Sequence, residues 1–175
     1  MIVEVSSWLA GFGVQWLLDY PGPFPERIAR GEVYLAYLPT SAKPIATVSL
    51  DDRADPEFWG RQQEDAGYVH RLAVRRRYAG HEIGATLLDF AGDQVAAGGR
   101  PWLRLDCHKE NTKLHRYYET HGFEHLTTID IPSRRSGALF QRPAVRDERI
   151  TADPDKPGIW HFRDVVALTS QRATK

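Results

Sequence analysis

The chain has 175 residues, with 23 Lys and Arg balanced by 23 Asp and Glu and with 42% hydrophobic residues, which suits one globular domain that buries a core without disulfide or metal staples. A formal net charge of zero supplies no broad attraction to nucleic acid or anionic membrane, and a single cysteine, Cys107, excludes an intramolecular disulfide and suits a reducing cytoplasm. No apolar run approaches the roughly 18 residues of a membrane-spanning helix, and Met1 is not followed by the basic region and apolar core of a secretion signal, so a cytoplasmic location is expected.

In chain order, Val5–Leu18 has apolar residues at helical spacing, interrupted by Gly11 and Gly13. A proline-punctuated turn then leads to a short helix near Glu26–Arg30. Glu32–Leu38 and Pro44–Leu50 read as two strands joined by a turn, and acidic Asp51–Asp65 reads as a loop with a helical turn around Phe58. Tyr68–Val74 is a third strand, whose alternation sets Tyr68, His70, Leu72 and Val74 on one face. Ile83, Leu87, Leu88, Ala91 and Val95 form one helical stripe, ended by Gly98-Gly99. Trp102–Cys107 alternates as a strand, and Asn111 suits the N-cap of a helix that stops at Gly122. Phe123–Ile131 and Ala138–Arg142 are further strands around the turn PSRRSG, and Gly158–Leu168 is strand-like after a charged, proline-containing stretch. Strands alternating with helices around one sheet define an α/β or α+β class.

The stretch Leu72–Asp89, LAVRRRYAGHEIGATLLD, carries the chemistry. It runs from a strand end through a turn with Gly80 and Gly84 into an amphipathic helix. Unpaired N–H groups at such a helix start, with the positive end of the helix dipole, form a ready site for phosphate. The ordinary alternative is a helix-start turn that binds nothing.

Two blocks, LAVRRRYAGHEIGATLL and NTKLHRYYETHGF, resemble the GNAT-type N-acetyltransferase superfamily in residues and spacing, over roughly Glu32–Arg142. The resemblance implies a mixed central sheet, splayed between the family's fourth and fifth strands and flanked by helices. It divides the chain into an acetyltransferase domain over residues 1–143 and an extension over 144–175. The N-terminus falls short of the family's first strand, so Gly158–Leu168 is expected to cover the edge left open, within one chain or across a homodimer.

The activity implied is direct transfer of an acetyl group from acetyl-CoA, as co-substrate, to a primary amine. An amide of Leu72, Ala73 or Val74 polarises the thioester carbonyl, and amides of Ala79, Gly80, His81, Glu82, Ile83, Gly84 and Ala85 hold the pyrophosphate. Asn111 matches the pantetheine contact and Tyr118 the acid that protonates the leaving thiolate. His70, on the strand flanking the acetyl group, is a candidate base. Two positions depart from the family: its Arg or Gln falls on Ala79, and its middle glycine on Glu82, whose carboxylate must point away from the pyrophosphate or pair with Arg75 or Arg77. The other functional class is a catalytically weak GNAT-fold protein that binds acyl-CoA or a small regulatory ligand.

Plainer readings stand beside these roles. Tyr118 also suits a core aromatic, since one of the adjacent Tyr117 and Tyr118 rings must pack inward; Asn111 suits a bare cap and His70 a packed strand residue. Cys107 reads as a small buried apolar side chain. His121 and His125 straddle Gly122, which breaks the helical spacing of a metal pair, so no metal is expected. Arg75–Arg77 reads as a place for CoA's phosphates or as a solvated turn, and neither nucleic acid nor membrane is an expected partner. Asp51, Asp52, Asp55, Glu57, Glu64 and Asp65 lie where the family borders its acceptor, which suits either a cationic small-molecule amine, polyamine-like or aminoglycoside-like, or a solvated loop.

Overall fold

A computed structural model describes residues 2–11, 24–38, 41–60, 65–147 and 161–164. The helices are α1 (Ile2–Ala10), α2 (Phe24–Ala29), α3 (Pro56–Trp59), α4 (Ile83–Ala97) and α5 (Thr112–Thr120). The strands are β1 (Val33–Tyr37), β2 (Pro44–Asp51), β3 (Ala66–Val74), β4 (Trp102–His108), β5 (Glu124–Thr128), β6 (Ser136–Pro143) and β7 (His161–Asp164). They form one mixed sheet in the order β5-β6-β4-β3-β2-β1-β7, flanked by helices. The chain divides into two compact units, Met1–Ser49 with Arg71–Leu87 and Thr151–Lys175, and Leu50–His70 with Leu88–Ile150.

In the first unit β1 runs antiparallel to β2 from Val33↔Ser49 to Tyr37↔Pro44. β-Branched and small residues fill this hairpin, and Val33, Ala36, Ile45, Ala46 and Val48 are buried. The other edge of β1 pairs antiparallel with β7 of the same chain, from Tyr34↔Asp164 to Tyr37↔His161. The pairing satisfies backbone groups that an open edge would leave to any passing strand. Helix α1 starts at Ile2 rather than Val5, and residues 12–18 of the expected first helix lie outside the described residues. Arg75 holds α1 through Glu4, Nη1 to Oε2 at 2.9 Å, and the Arg76 amide donates to Glu4 Oε1 at 3.1 Å. The Arg76 guanidinium also sits 3.7 Å over the Trp8 ring.

In the second unit β4 and β6 are antiparallel from Trp102↔Pro143 to His108↔Ser136. β3 and β4 are parallel, with a ladder over Ala66–Val69 and Trp102–Leu105. The core here gathers Phe58, Trp59, Tyr68 and Leu139. The expected α4 stripe is buried at all five positions. Its close approach requires Gly67, because a Cβ there would lie 2.2 Å from Val95 Cγ2.

One expectation about β3 fails. Arg71 has φ +51, a left-handed conformation that costs an L-residue about 1–2 kcal/mol and breaks the two-residue alternation. Tyr68 and Val69 are consecutive buried residues, and Ala73, not Leu72 or Val74, is buried beyond the break. The single face expected for Tyr68, His70, Leu72 and Val74 therefore does not exist.

Candidate active site

The cradle lies in the first unit. After β3, a single 3₁₀ turn at Arg76–Tyr78 precedes Ala79, whose backbone is extended. Gly80 has φ +79 and Glu82 has φ +55. Glycine adopts such angles freely, whereas glutamate is strained there. These turns aim the chain into α4, which begins at Ile83. The first helical bond runs from the Thr86 amide to the Glu82 carbonyl at 2.9 Å, and Thr86 Oγ1 donates to the same carbonyl at 3.1 Å. The amides of Ile83, Gly84 and Ala85 precede that first bond, so no intrahelical carbonyl is available to them. Of 79–85, only Ile83 is buried.

Of the arginines nearby, Arg76 and Arg77 are exposed and Arg75 is drawn toward α1. Arg75 donates to Glu4 and, through Nε, to the Pro44 carbonyl at 2.7 Å. Its guanidinium is thus committed to tying down α1, and Arg77 lies 4.7 Å from the centre of the Tyr78 ring. His81 is exposed, with Nδ1 3.1 Å from the Ala79 carbonyl.

The titratable groups gather in the second unit. Asp51 closes β2 with a side chain 1% exposed, and its Oδ1 lies 3.5 Å from His70 Nε2. Arg53 braces the carboxylate, its amide donating to Oδ1 at 3.0 Å and Nη2 to Oδ2 at 3.2 Å. Asp106, on β4, is held above the ordinary carboxyl range, chiefly by burial; His70, Ser136 and Arg134 pull the other way. The alternation of WLRLDC does not by itself single out Asp106. Its one signal was a charged residue inside the alternating strand WLRLDC.

Tyr118 is the inward member of the Tyr117–Tyr118 pair, buried with its ring 5.6–5.7 Å from Tyr117, Phe123 and Phe140. Burial, reinforced by Cys107, Tyr117 and Asp106, pushes its phenol far above the usual tyrosine range. The group stays protonated, so its hydroxyl hydrogen is available to donate. Asn111 caps α5, its Oδ1 accepting from the Leu114 amide at 3.1 Å. That role occupies the oxygen and leaves the side-chain NH₂. Cys107 is buried and its thiol is pushed up to about 12 by burial and by Asp106, so it is no nucleophile.

The acidic segment is largely neutralised from within. Arg100 pairs with Asp52 at 2.7 Å, Arg104 with Asp65 at 3.0 Å, and Arg134 with both Asp55 at 2.6 Å and Glu57 at 2.7 Å. Glu64 lies outside the described residues. Three arginines thus serve these four carboxylates, which leaves little excess negative field at these positions for a polycation. Among the described residues no three His, Cys, Asp or Glu side chains gather as a metal site, and no helix is long and apolar enough to cross a membrane.

A mixed sheet whose third strand leads through a glycine turn into an open helix start is a known acetyltransferase architecture, and the comparisons agree. A family model described as "Acetyltransferase (GNAT) family" matches residues 5–123. The chain belongs to that family. It is 37% identical over 137 residues, 72% of this chain and 74% of the other, to YesJ of Bacillus subtilis, described as an uncharacterized N-acetyltransferase. Among solved structures, a GNAT-family acetyltransferase of Listeria monocytogenes aligns with TM-score 0.67 at 22% identity, over 81% of this chain and 84% of that one. A structure from Bacillus anthracis, assigned as a streptothricin acetyltransferase in complex with acetyl coenzyme A, aligns with TM-score 0.57 at 16% identity, over 74% and 72%. At these identities the solved structures speak for the fold alone.

Proposed function

We propose that this GNAT-family chain is an acetyl-CoA-dependent N-acetyltransferase that moves the acetyl group directly from the thioester to a small primary amine. The observation that carries the reading is the start of α4. Left-handed turns at Gly80 and Glu82 aim a 15-residue helix so that the Ile83, Gly84 and Ala85 amides precede its first internal hydrogen bond. Free amides at the positive end of a helix dipole bind pyrophosphate well. A relative of this fold holding acetyl coenzyme A supports the same donor.

The remaining roles follow from what the transfer needs. An amide at Leu72, Ala73 or Val74 polarises the carbonyl on which the tetrahedral oxyanion forms. The Asn111 side-chain NH₂ serves the pantetheine arm. His70 takes the proton that the ammonium acceptor must lose before it attacks. The N–C bond forms, the C–S bond breaks, and the thiolate takes a proton for which the protonated Tyr118 phenol is the candidate donor.

Calorimetric titration with acetyl-CoA, paired with a thiol-release assay across mono- and polyamines, tests this. Saturable binding with release of CoA on at least one amine is expected. Binding without transfer favours a ligand-binding protein on the same fold, for which Glu82 at the family's glycine position is the motivating feature. No binding at all refutes both readings.

A further inference from the structure

The His70 imidazole presents a problem that the acetyltransferase reading does not resolve. Its Nε2 is buried and makes no hydrogen bond, although a carboxylate oxygen lies 3.5 Å away. A buried imidazole nitrogen without a partner is costly, so its persistence needs a reason. The oxygen belongs to Asp51, itself almost wholly buried and fixed from behind by the Arg53 amide and guanidinium. This carboxylate cannot swing away to solvent. His70 retains 23% side-chain exposure, so the imidazole is the one member of the pair with a path outward.

The groups facing the ring come from both neighbouring strands, since β3 lies between β4 and β2. Asp51 and Arg53 approach from the β2 side, and Asp106, which also interacts with Ser136, Arg134 and Asp55, from the β4 side. A charge developing on the ring is therefore met by carboxyl groups on two sides. Catalytic hydrogen bonds are often long in unliganded enzymes and tighten in the complex, and 3.5 Å fits that pattern.

We propose that Asp51 is a positioning residue for His70: it accepts from Nε2–H, fixes the ring and its tautomer, and so leaves Nδ1 to take the proton of the acceptor ammonium. The step balances. The ammonium N–H bond breaks, its proton moves to Nδ1, the amine lone pair attacks the thioester, and the imidazolium later gives the proton to water. The inference rests on the acetyltransferase reading only for the proton's origin; the Asp51–His70 pairing stands on the geometry.

The test has two parts, both on the full chain. Long-range ¹H–¹⁵N spectra of histidine-labelled protein, with His70 assigned through His70→Gln, report the tautomer without turnover. A single Nε2–H form is expected in the wild type, and a mixture in Asp51→Asn. In the acetylation assay, Asp51→Asn should lower kcat about a hundredfold, within the usual range for a general acid–base group, with unchanged acetyl-CoA affinity. Asp51→Glu should recover part of the loss, and Asp51→Asn/His70→Gln should be no slower than His70→Gln alone, because one residue acts through the other. A His70 tautomer indifferent to Asp51→Asn, or losses that multiply in the double variant, overturns the proposal. If wild type acetylates no amine, the acetyltransferase reading fails, while the spectra still decide the pairing.

Discussion

Replacing Glu82 separates two effects that meet at one residue. Its φ of +55 places a side chain in the left-handed region at about 1–2 kcal/mol. Glu82→Gly relieves that strain but frees the unfolded chain, at a cost of about 0.5–1 kcal/mol. It also loses a helix-start carboxylate worth about 0.3–1 kcal/mol. These nearly cancel, so the melting temperature should hardly move. Binding should move. Were the Glu82 carboxylate held about 7 Å from two phosphate charges in water, it would repel them by about 1.2 kcal/mol, or roughly sevenfold in affinity. Screening over a Debye length of about 8 Å cuts this to about two- to threefold at physiological salt. Glu82→Gln removes the charge and keeps the backbone, so it should show the same salt-dependent gain with a slightly lower melting temperature. Calorimetry with acetyl-CoA at low and physiological salt, alongside thermal melts, measures both terms. Glu82→Gln binding no tighter at low salt, or a gain indifferent to salt, would refute the electrostatic reasoning.

Three further outcomes are expected. Tyr118→Phe keeps the ring contacts and removes only the hydroxyl, so kcat should fall about 10²-fold with acetyl-CoA affinity intact; an unchanged rate would make Tyr118 a core aromatic and nothing more. Gly67→Ala forces a Cβ to within 2.2 Å of Val95 Cγ2 and should cost about 1–3 kcal/mol. In thermal melts Val95→Ala should restore part of that loss in the double variant. Burial raises the Asp106 carboxyl, so the folded chain holds this proton more tightly than the unfolded chain. That stabilisation is complete below the unfolded carboxyl's pKa and is lost as pH rises through the folded value. Asp106→Asn should therefore gain melting temperature relative to wild type as pH rises from 4 to 8, and a difference independent of pH would contradict it.

Much of the fold was legible because it depends on local rules. Ile83–Ala97 is a helix from the first residue of its stripe to the last, since apolar spacing and Gly98-Gly99 state both its buried face and its end. Asn111 caps α5 through the hydrogen bond its residue type favours at that position. The turn ahead of α4 was legible for the same reason, since Gly80 with its positive φ stands a few residues before the helix start.

What stayed hidden depends on chain segments far apart in sequence. Nothing in the string RLAV reveals that Arg71 turns left-handed and breaks the alternation of β3. The commitment of Arg75 to Glu4, the arginines that neutralise the acidic segment, and the approach of Asp51 and Asp106 to His70 each join residues about 20 to 80 positions apart.

The sequence alone determined the family, the order of elements and the place of the glycine turn that leads into α4, because spacing, capping and glycine positions act within a few residues. Only tertiary structure decided which of the two adjacent tyrosines faces inward, which carboxylates are spent on arginines, and which one stands behind a histidine. Those outcomes depend on burial and on charge, and neither has a value until distant strands lie side by side.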